Sequence, residues 1–155
     1  MSSIAIDTHG LIVACASCGA KNRLAYEHIG RSHRCAKCKT DLPQPDAPVE
    51  LGSAAQFDDV VAAASVPVVV DYWAPWCGPC RFVAPEVAKV AKRQTGQLLV
   101  VKVNTDEVPE LQARYGIMSI PTLAVFSGGR EVGRSTGARP ADAIEAFVRD
   151  SLQAR

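Results

Sequence analysis

The 155-residue chain has no apolar run near the length a membrane helix needs, about 20 residues, so insertion in a bilayer is not expected. It also has no basic n-region at its start. The front carries Asp7, and its one apolar stretch there, Leu11 to Ala16, is shorter than the roughly 7 to 15 residues of a secretory h-region. The expectation is an intracellular, cytoplasmic protein. No glycine-rich dinucleotide fingerprint follows any apolar run, which excludes a chain that binds nicotinamide or flavin by that device. Charge of one sign is scarce too, with 17 Lys and Arg against 16 Asp and Glu. Residues 1–45 are basic, with six cations to three anions, but Tyr26 is the one aromatic among them, which argues against a stacking surface for nucleic acid.

What the chain does have is one cysteine spacing used three times: Cys15-Ala-Ser-Cys18, Cys35-Ala-Lys-Cys38 and Cys77-Gly-Pro-Cys80. The first two pairs sit sixteen residues apart in a polar, basic segment. That arrangement is the one expected of a Cys₄ zinc site, with each pair presenting two thiolates to one tetrahedral ion. Gly19 suits the tight turn after Cys18. The alternative, two structural disulfides, requires an oxidising compartment. The three histidines, His9, His28 and His33, all fall in this segment and are expected on the surface or in packing, because four cysteines already complete a structural shell, with His33 the substitute ligand. A segment this short needs a metal, a disulfide or a partner to stay folded.

Pro43, Pro45 and Pro48 mark a change of composition and read as a semi-rigid linker over about residues 43–48. The division expected is a small zinc-ribbon module over 1–44 and a larger domain over 49–155. In the larger part Ser53-Ala-Ala-Gln56 has the form of a capping box and opens a helix to about Ala64. Val66 to Val70 reads as a buried strand, Cys77 to Gln94 as a helix, Leu98 to Val103 as a strand and Val108 to Tyr115 as a short helix. Thr122 to Phe126 and Glu131 to Ser135 flank Gly128-Gly129 as a hairpin, and Pro140 to Leu152 reads as a closing helix. Strands alternating with helices predict an α/β domain of three layers around a central mixed sheet, the hairpin adding antiparallel strands at one side. The third cysteine pair then stands where a central strand meets a helix, at the carboxyl end of the sheet.

Val70-Asp-Tyr-Trp-Ala-Pro-Trp-Cys-Gly-Pro-Cys80 resembles the active-site segment of thioredoxins. The resemblance continues through Val101-Lys-Val-Asn-Thr-Asp106, Tyr115-Gly-Ile-Met-Ser-Ile-Pro-Thr122 and Phe126-Ser-Gly-Gly-Arg130, and so spans about residues 49–155. A double CxxC ahead of such a domain is similar to the zinc-containing bacterial class of the family. A thioredoxin fold and protein-disulfide reduction follow as expectations. Cys77, placed where a helix N-terminus lowers a thiol pKa, is the expected nucleophile, and Cys80, one turn along, the resolving thiol. Gly78 lets a target approach and Pro79 fits the first helical turn.

The resemblance further implies that Asp71 assists deprotonation of Cys80 with Lys102 as its electrostatic partner, against the plain alternative of a solvated Asp at a strand end. Ile120-Pro121 is similar to the family's cis-proline, and Trp76, Ile117, Ile120, Gly137 and Ala138 are expected to complete a shallow apolar docking surface. Pro85 is read as a kink in the long helix. Arg81 and Ser119 stand where many thioredoxins have Lys and Gly. Partners implied are a flavin-containing, NADPH-dependent thioredoxin reductase and oxidised proteins, with no membrane or nucleic acid, the chain being a monomer. A second reading makes the zinc ribbon the working part, as a binding protein or redox-regulated holdase.

Overall fold

The computed structural model describes residues 4–154, which form two sheets. The first is antiparallel, ordered β1 (Ala5–Ile6), β2 (Gly10–Ala14) and β3 (Lys21–Ala25), and a single 3-10 turn, Tyr26–His28, follows it. The second holds β4 (Val49–Leu51), β5 (Val68–Trp73), β6 (Leu99–Asn104), β7 (Thr122–Ser127) and β8 (Arg130–Thr136), in the order β4-β6-β5-β7-β8. β4, β6 and β5 are parallel, whereas β7 runs antiparallel to β5, and β8 to β7. Helices α1 (Ala54–Ala63), α2 (Gly78–Arg93), α3 (Pro109–Arg114) and α4 (Ala141–Gln153) connect or close these strands. This is the mixed three-layer α/β fold that the alternation predicts.

Local chemistry explains the element ends. Ser53 is the N-cap of α1 and accepts from the Gln56 amide, while the Gln56 side chain takes the Gly52 amide, so the capping box closes one residue further out than its usual form. Pro67 withholds a ladder donor, and β5 starts only at Val68. Pro85 lies inside α2 and leaves the Arg81 carbonyl without its helical donor.

Alternation along β5 separates two cores. Val68, Val70 and Tyr72 face one core with Phe57, Val60 and Val61 of α1, while Val69 faces the other with Val83, Val87 and Val90 of α2 and Ile144 and Val148 of α4. Asp71 shares the parity of Val69 and therefore points to the α2 side.

The N-terminal segment is more deeply attached than a linker between two modules predicts. Leu11, Leu24, Tyr26 and Ile29 are buried and belong to the same core as Phe57, Leu51 and Val101. Ser65 fastens the junction, its amide bonding to the Tyr26 carbonyl and its hydroxyl to that of Ile29. Composition concealed this because β3 offers one large apolar side chain, Leu24, beside Ala25 and three polar ones. The two parts also approach closely at Gly30, with φ +92°, where an added Cβ would stand 2.7 Å from the Gly96 carbonyl oxygen. Gly30→Ala is expected to destabilise the protein by about 2 kcal/mol or more, since the left-handed backbone alone costs an alanine roughly 1–2 kcal/mol. The midpoint of a urea unfolding curve at constant slope checks it.

Candidate active site

β5 ends at Trp73 and α2 begins at Gly78, so four residues turn the chain from the sheet into the helix. Cys77 is the N-cap of α2 and is joined to Cys80 by a disulfide. The Cys80 amide points at Cys77 Sγ from 3.2 Å, the capping position in which Ser or Asp would normally present an oxygen. In the reduced state this amide and the helix dipole favour a thiolate at Cys77 over a thiol. Cys77 Sγ also lies 3.8 Å from the Ile120 carbonyl oxygen. Ile120-Pro121 is cis, and the Pro121 carbonyl accepts from the Gly137 amide, which brings the turns before β7 and after β8 together beside the thiols.

Trp73, Ala74, Cys77, Cys80 and Ile120 pack as one cluster. Both sulfurs are nearly covered in the oxidised form, each cysteine 4% exposed. Trp76, next to Cys77 in the chain, is 69% exposed, and Gly78, Pro79 and Ala138 are exposed as well, while Phe82 and Met118 stand out at 71% and 94%. The Trp76 indole is tethered by its N–H to the Asp106 carboxylate. Ile117 does not belong to this surface. It is buried in the α1-side core, a correction that follows from its side chain turning inward while its neighbour Met118 turns out. Phe82 and Met118 escaped the sequence reading because an exposed apolar residue has no sequence signature apart from a break in helical or strand parity.

Asp71 lies beneath this surface, 1% exposed, with Oδ1 free of any hydrogen-bond partner. Burial pushes its carboxyl up to about 6, against the pull of the Lys102 ammonium and with a contribution from Glu50. Lys102 is the register neighbour of Asp71 on β6, as the pairing of the two residues requires.

A buried group with this shift has a definite linkage sign. The folded state holds the Asp71 proton more tightly than the unfolded chain, whose value is near 3.8, so stability falls as pH rises from about 4 through 6. Above that window the cost is constant, on the order of 3 kcal/mol. Asp71→Asn is therefore expected to raise stability by about 2–3 kcal/mol at pH 8 and by nothing near pH 3, as paired urea melts at the two pH values will report.

The other four cysteines converge at the far end of the first sheet. Cys15 to Cys18 form the turn of the β2–β3 hairpin, and Cys35 to Cys38 a second turn closed by the Arg34–Asp41 bridge. The turns match bond for bond: Gly19 N–H to Cys15 O and Cys15 N–H to Ala20 O in one, Lys39 N–H to Cys35 O and Cys35 N–H to Thr40 O in the other. Each places a left-handed residue after its second cysteine, Gly19 at φ +77° and Lys39 at +67°. The four sulfurs lie within 4.8 Å of one another, with Cys15–Cys38 and Cys18–Cys35 at 3.6 Å. Zn–S bonds of ~2.3 Å in a tetrahedron put sulfurs about 3.8 Å apart, so the donor set fits one such ion. None of the histidines joins this cluster, and His33 instead bonds the Pro43 carbonyl.

The thioredoxin family profile matches residues 48–150. Thioredoxin C-3 of Corynebacterium nephridii is 37% identical over 143 residues, which cover 92% of this chain and 97% of that protein. Thioredoxin 1 of Nostoc sp. is 55% identical over 84 residues, 54% of this chain and 78% of that protein. Among solved structures, a mutant thioredoxin from Halobacterium salinarum superposes with a TM-score of 0.64 at 32% identity, covering 70% of this chain and 93% of its own. With a redox-capable cysteine pair at the strand-to-helix turn and a family match over two thirds of its length, the chain belongs to the thioredoxin family and is a thiol-disulfide oxidoreductase.

Proposed function

We propose that the protein is a disulfide reductase of the zinc-containing thioredoxin class, acting on oxidised proteins and recycled by a thioredoxin reductase. One observation carries the reading: Cys77 caps a helix beside an exposed apolar surface, with Cys80 one turn behind it and a buried acid below. The Cys77 thiolate attacks one sulfur of a substrate disulfide, forming the Cys77–substrate bond and expelling the other sulfur as a thiolate. Cys80, deprotonated, then attacks Cys77 Sγ, forming the Cys77–Cys80 disulfide and releasing the second substrate thiolate. Two electrons have moved to the substrate, and two from NADPH, delivered through the flavin of the reductase, restore the pair.

The acceptor for the Cys80 proton is Asp71, with Lys102 across the strand as its counter-charge. An acid with a value near 6 is ionised at neutral pH and still basic enough to take a thiol proton. Asp71→Asn is expected to slow reduction of a protein disulfide at pH 7 by at least about tenfold, as proton-transfer groups contribute ~10²–10⁴. An unchanged rate in single-turnover insulin reduction would remove Asp71 from the mechanism.

Substrates are extended peptide segments bearing a disulfide. Trp76, Ile120, Gly137 and Ala138 line their path, and the cis Ile120-Pro121 turn offers a backbone edge.

Cys15, Cys18, Cys35 and Cys38 would hold one Zn²⁺, which when bound supplies structural cross-linking and no redox chemistry. The match to Thioredoxin C-3 is too long to lie within residues 49–155, which supports a shared N-terminal part. A zinc ribbon and a reducing thiol site both suit the cytoplasm. The test is NADPH-coupled insulin reduction with a thioredoxin reductase, with bound zinc measured in the same preparation before and after mild peroxide. Full cellular function in Cys77→Ser with loss of function in Cys15→Ser would instead establish the ribbon as the working part.

A further inference from the structure

β4 is only three residues long, and its central residue, Glu50, faces the same side of the sheet as the exchange site. The parallel register places Glu50 opposite Lys102, and Lys102 opposite Asp71, so two carboxylates stand in one row on either side of a single ammonium. Two strand spacings of ~4.8 Å set the Glu50 and Asp71 backbones about 10 Å apart. Trp73, two residues past Asp71 on the same face and packed against the thiols, joins the row at its end. Its indole N–H donates to Glu50 Oε2 at 3.1 Å, and the Lys102 ammonium lies 4.7 Å from the centre of its ring.

We propose that Glu50 is a positioning residue of the exchange site: anchored on Trp73, its carboxylate competes with Asp71 for the Lys102 ammonium and thereby keeps Asp71 a stronger proton acceptor. This rests on the reading of Asp71 as the acceptor for Cys80 and extends it to the charge that sets its basicity.

The groups facing Asp71 are few. β6 supplies Lys102, β4 supplies Glu50, and β7 places uncharged Leu123 opposite it. α2 contributes the cysteine pair. Glu107, after β6, acts on Glu50. A negative charge on Glu50 disfavours a second one on Asp71 directly, and it also holds the ammonium that would otherwise stabilise the Asp71 anion. Burial raises the Glu50 carboxyl's own value, while the Trp73 N–H and the Lys102 ammonium pull it down.

Glu50→Gln separates charge from anchoring, because the amide oxygen still accepts the Trp73 N–H. The Asp71 carboxyl signal is followed by ¹³C NMR in the oxidised full-length protein, where Cys77 and Cys80 do not titrate. In Glu50→Gln its midpoint is expected to lie about half a pH unit below the wild-type midpoint, the effect of one charge ~10 Å away through a partly aqueous path. Glu50→Asp, which keeps the charge, is expected to hold the wild-type midpoint. An unmoved midpoint in Glu50→Gln overturns the proposal, as does an equal fall in Glu50→Asp, which would assign the effect to packing at Trp73. Neither result touches the relay reading, which stands or falls on the rate of Asp71→Asn.

Discussion

A Cys80→Ser variant is expected to attack a protein disulfide once and remain bound to it. The capping geometry that favours a thiolate at Cys77 uses the Cys80 amide and the helix dipole, neither of which depends on the Cys80 side chain. The first exchange therefore proceeds, while the hydroxyl that replaces the resolving thiol cannot displace the mixed disulfide at neutral pH. Turnover of insulin should fall by at least about three orders of magnitude, to the rate at which external thiols release the adduct. Gel electrophoresis without reductant should show a covalent complex that dithiothreitol dissolves. Cys77→Ser should give the same loss of turnover without the complex, because Cys77, not Cys80, is the N-cap sulfur at which a backbone amide points. Trapping by Cys77→Ser and not by Cys80→Ser would reverse the two assigned roles.

The thiol site was readable from sequence because everything that makes Cys77 reactive is local. An apolar strand, a four-residue turn and a helix start occupy consecutive positions, and chain order alone brings them together. Lys102 beside Asp71 was reached through resemblance, since nothing in either segment states the register of β5 on β6. Glu50 and Trp73 were missed for the same reason. Val-Glu-Leu is too short to carry a period, and Trp73 reads as the end of a strand until β4 is laid beside β6. The N-terminal segment shows the opposite failure: its cysteine knuckles were plain from spacing, but its core was not. Leu11, Leu24, Tyr26 and Ile29 look isolated in a polar segment and become a continuous face only when packed against α1 and the second sheet. Sequence spacing measures contacts within a turn, whereas these contacts span tens of residues.

That shared core gives removal of the proposed zinc ion a large expected effect. β1, β2 and β3 contain only two, five and five residues, too little to persist without the cross-link at the hairpin turn. Cys15 and Cys35 are buried against Leu42 and Ala20, so stripping a bound ion would leave crowded, reprotonated thiols with no bonds between them in place of metal–sulfur bonds. The sheet would loosen and withdraw Leu11, Leu24, Tyr26 and Ile29 from the α1-side core. Each such side chain stabilises by roughly 1.5–3 kcal/mol, so the oxidoreductase domain itself loses several kcal/mol. With about 2–4 °C of Tm per kcal/mol for a chain of this size, a strong chelator in the presence of reductant should lower the main calorimetric transition by at least about 10 °C. Two independent modules would behave differently, with the ribbon melting early and the main transition staying in place. The Cys15→Ser variant should reproduce the chelator's shift, and Cys77→Ser should not, since the redox pair lies at the start of α2, on the opposite face of the second sheet.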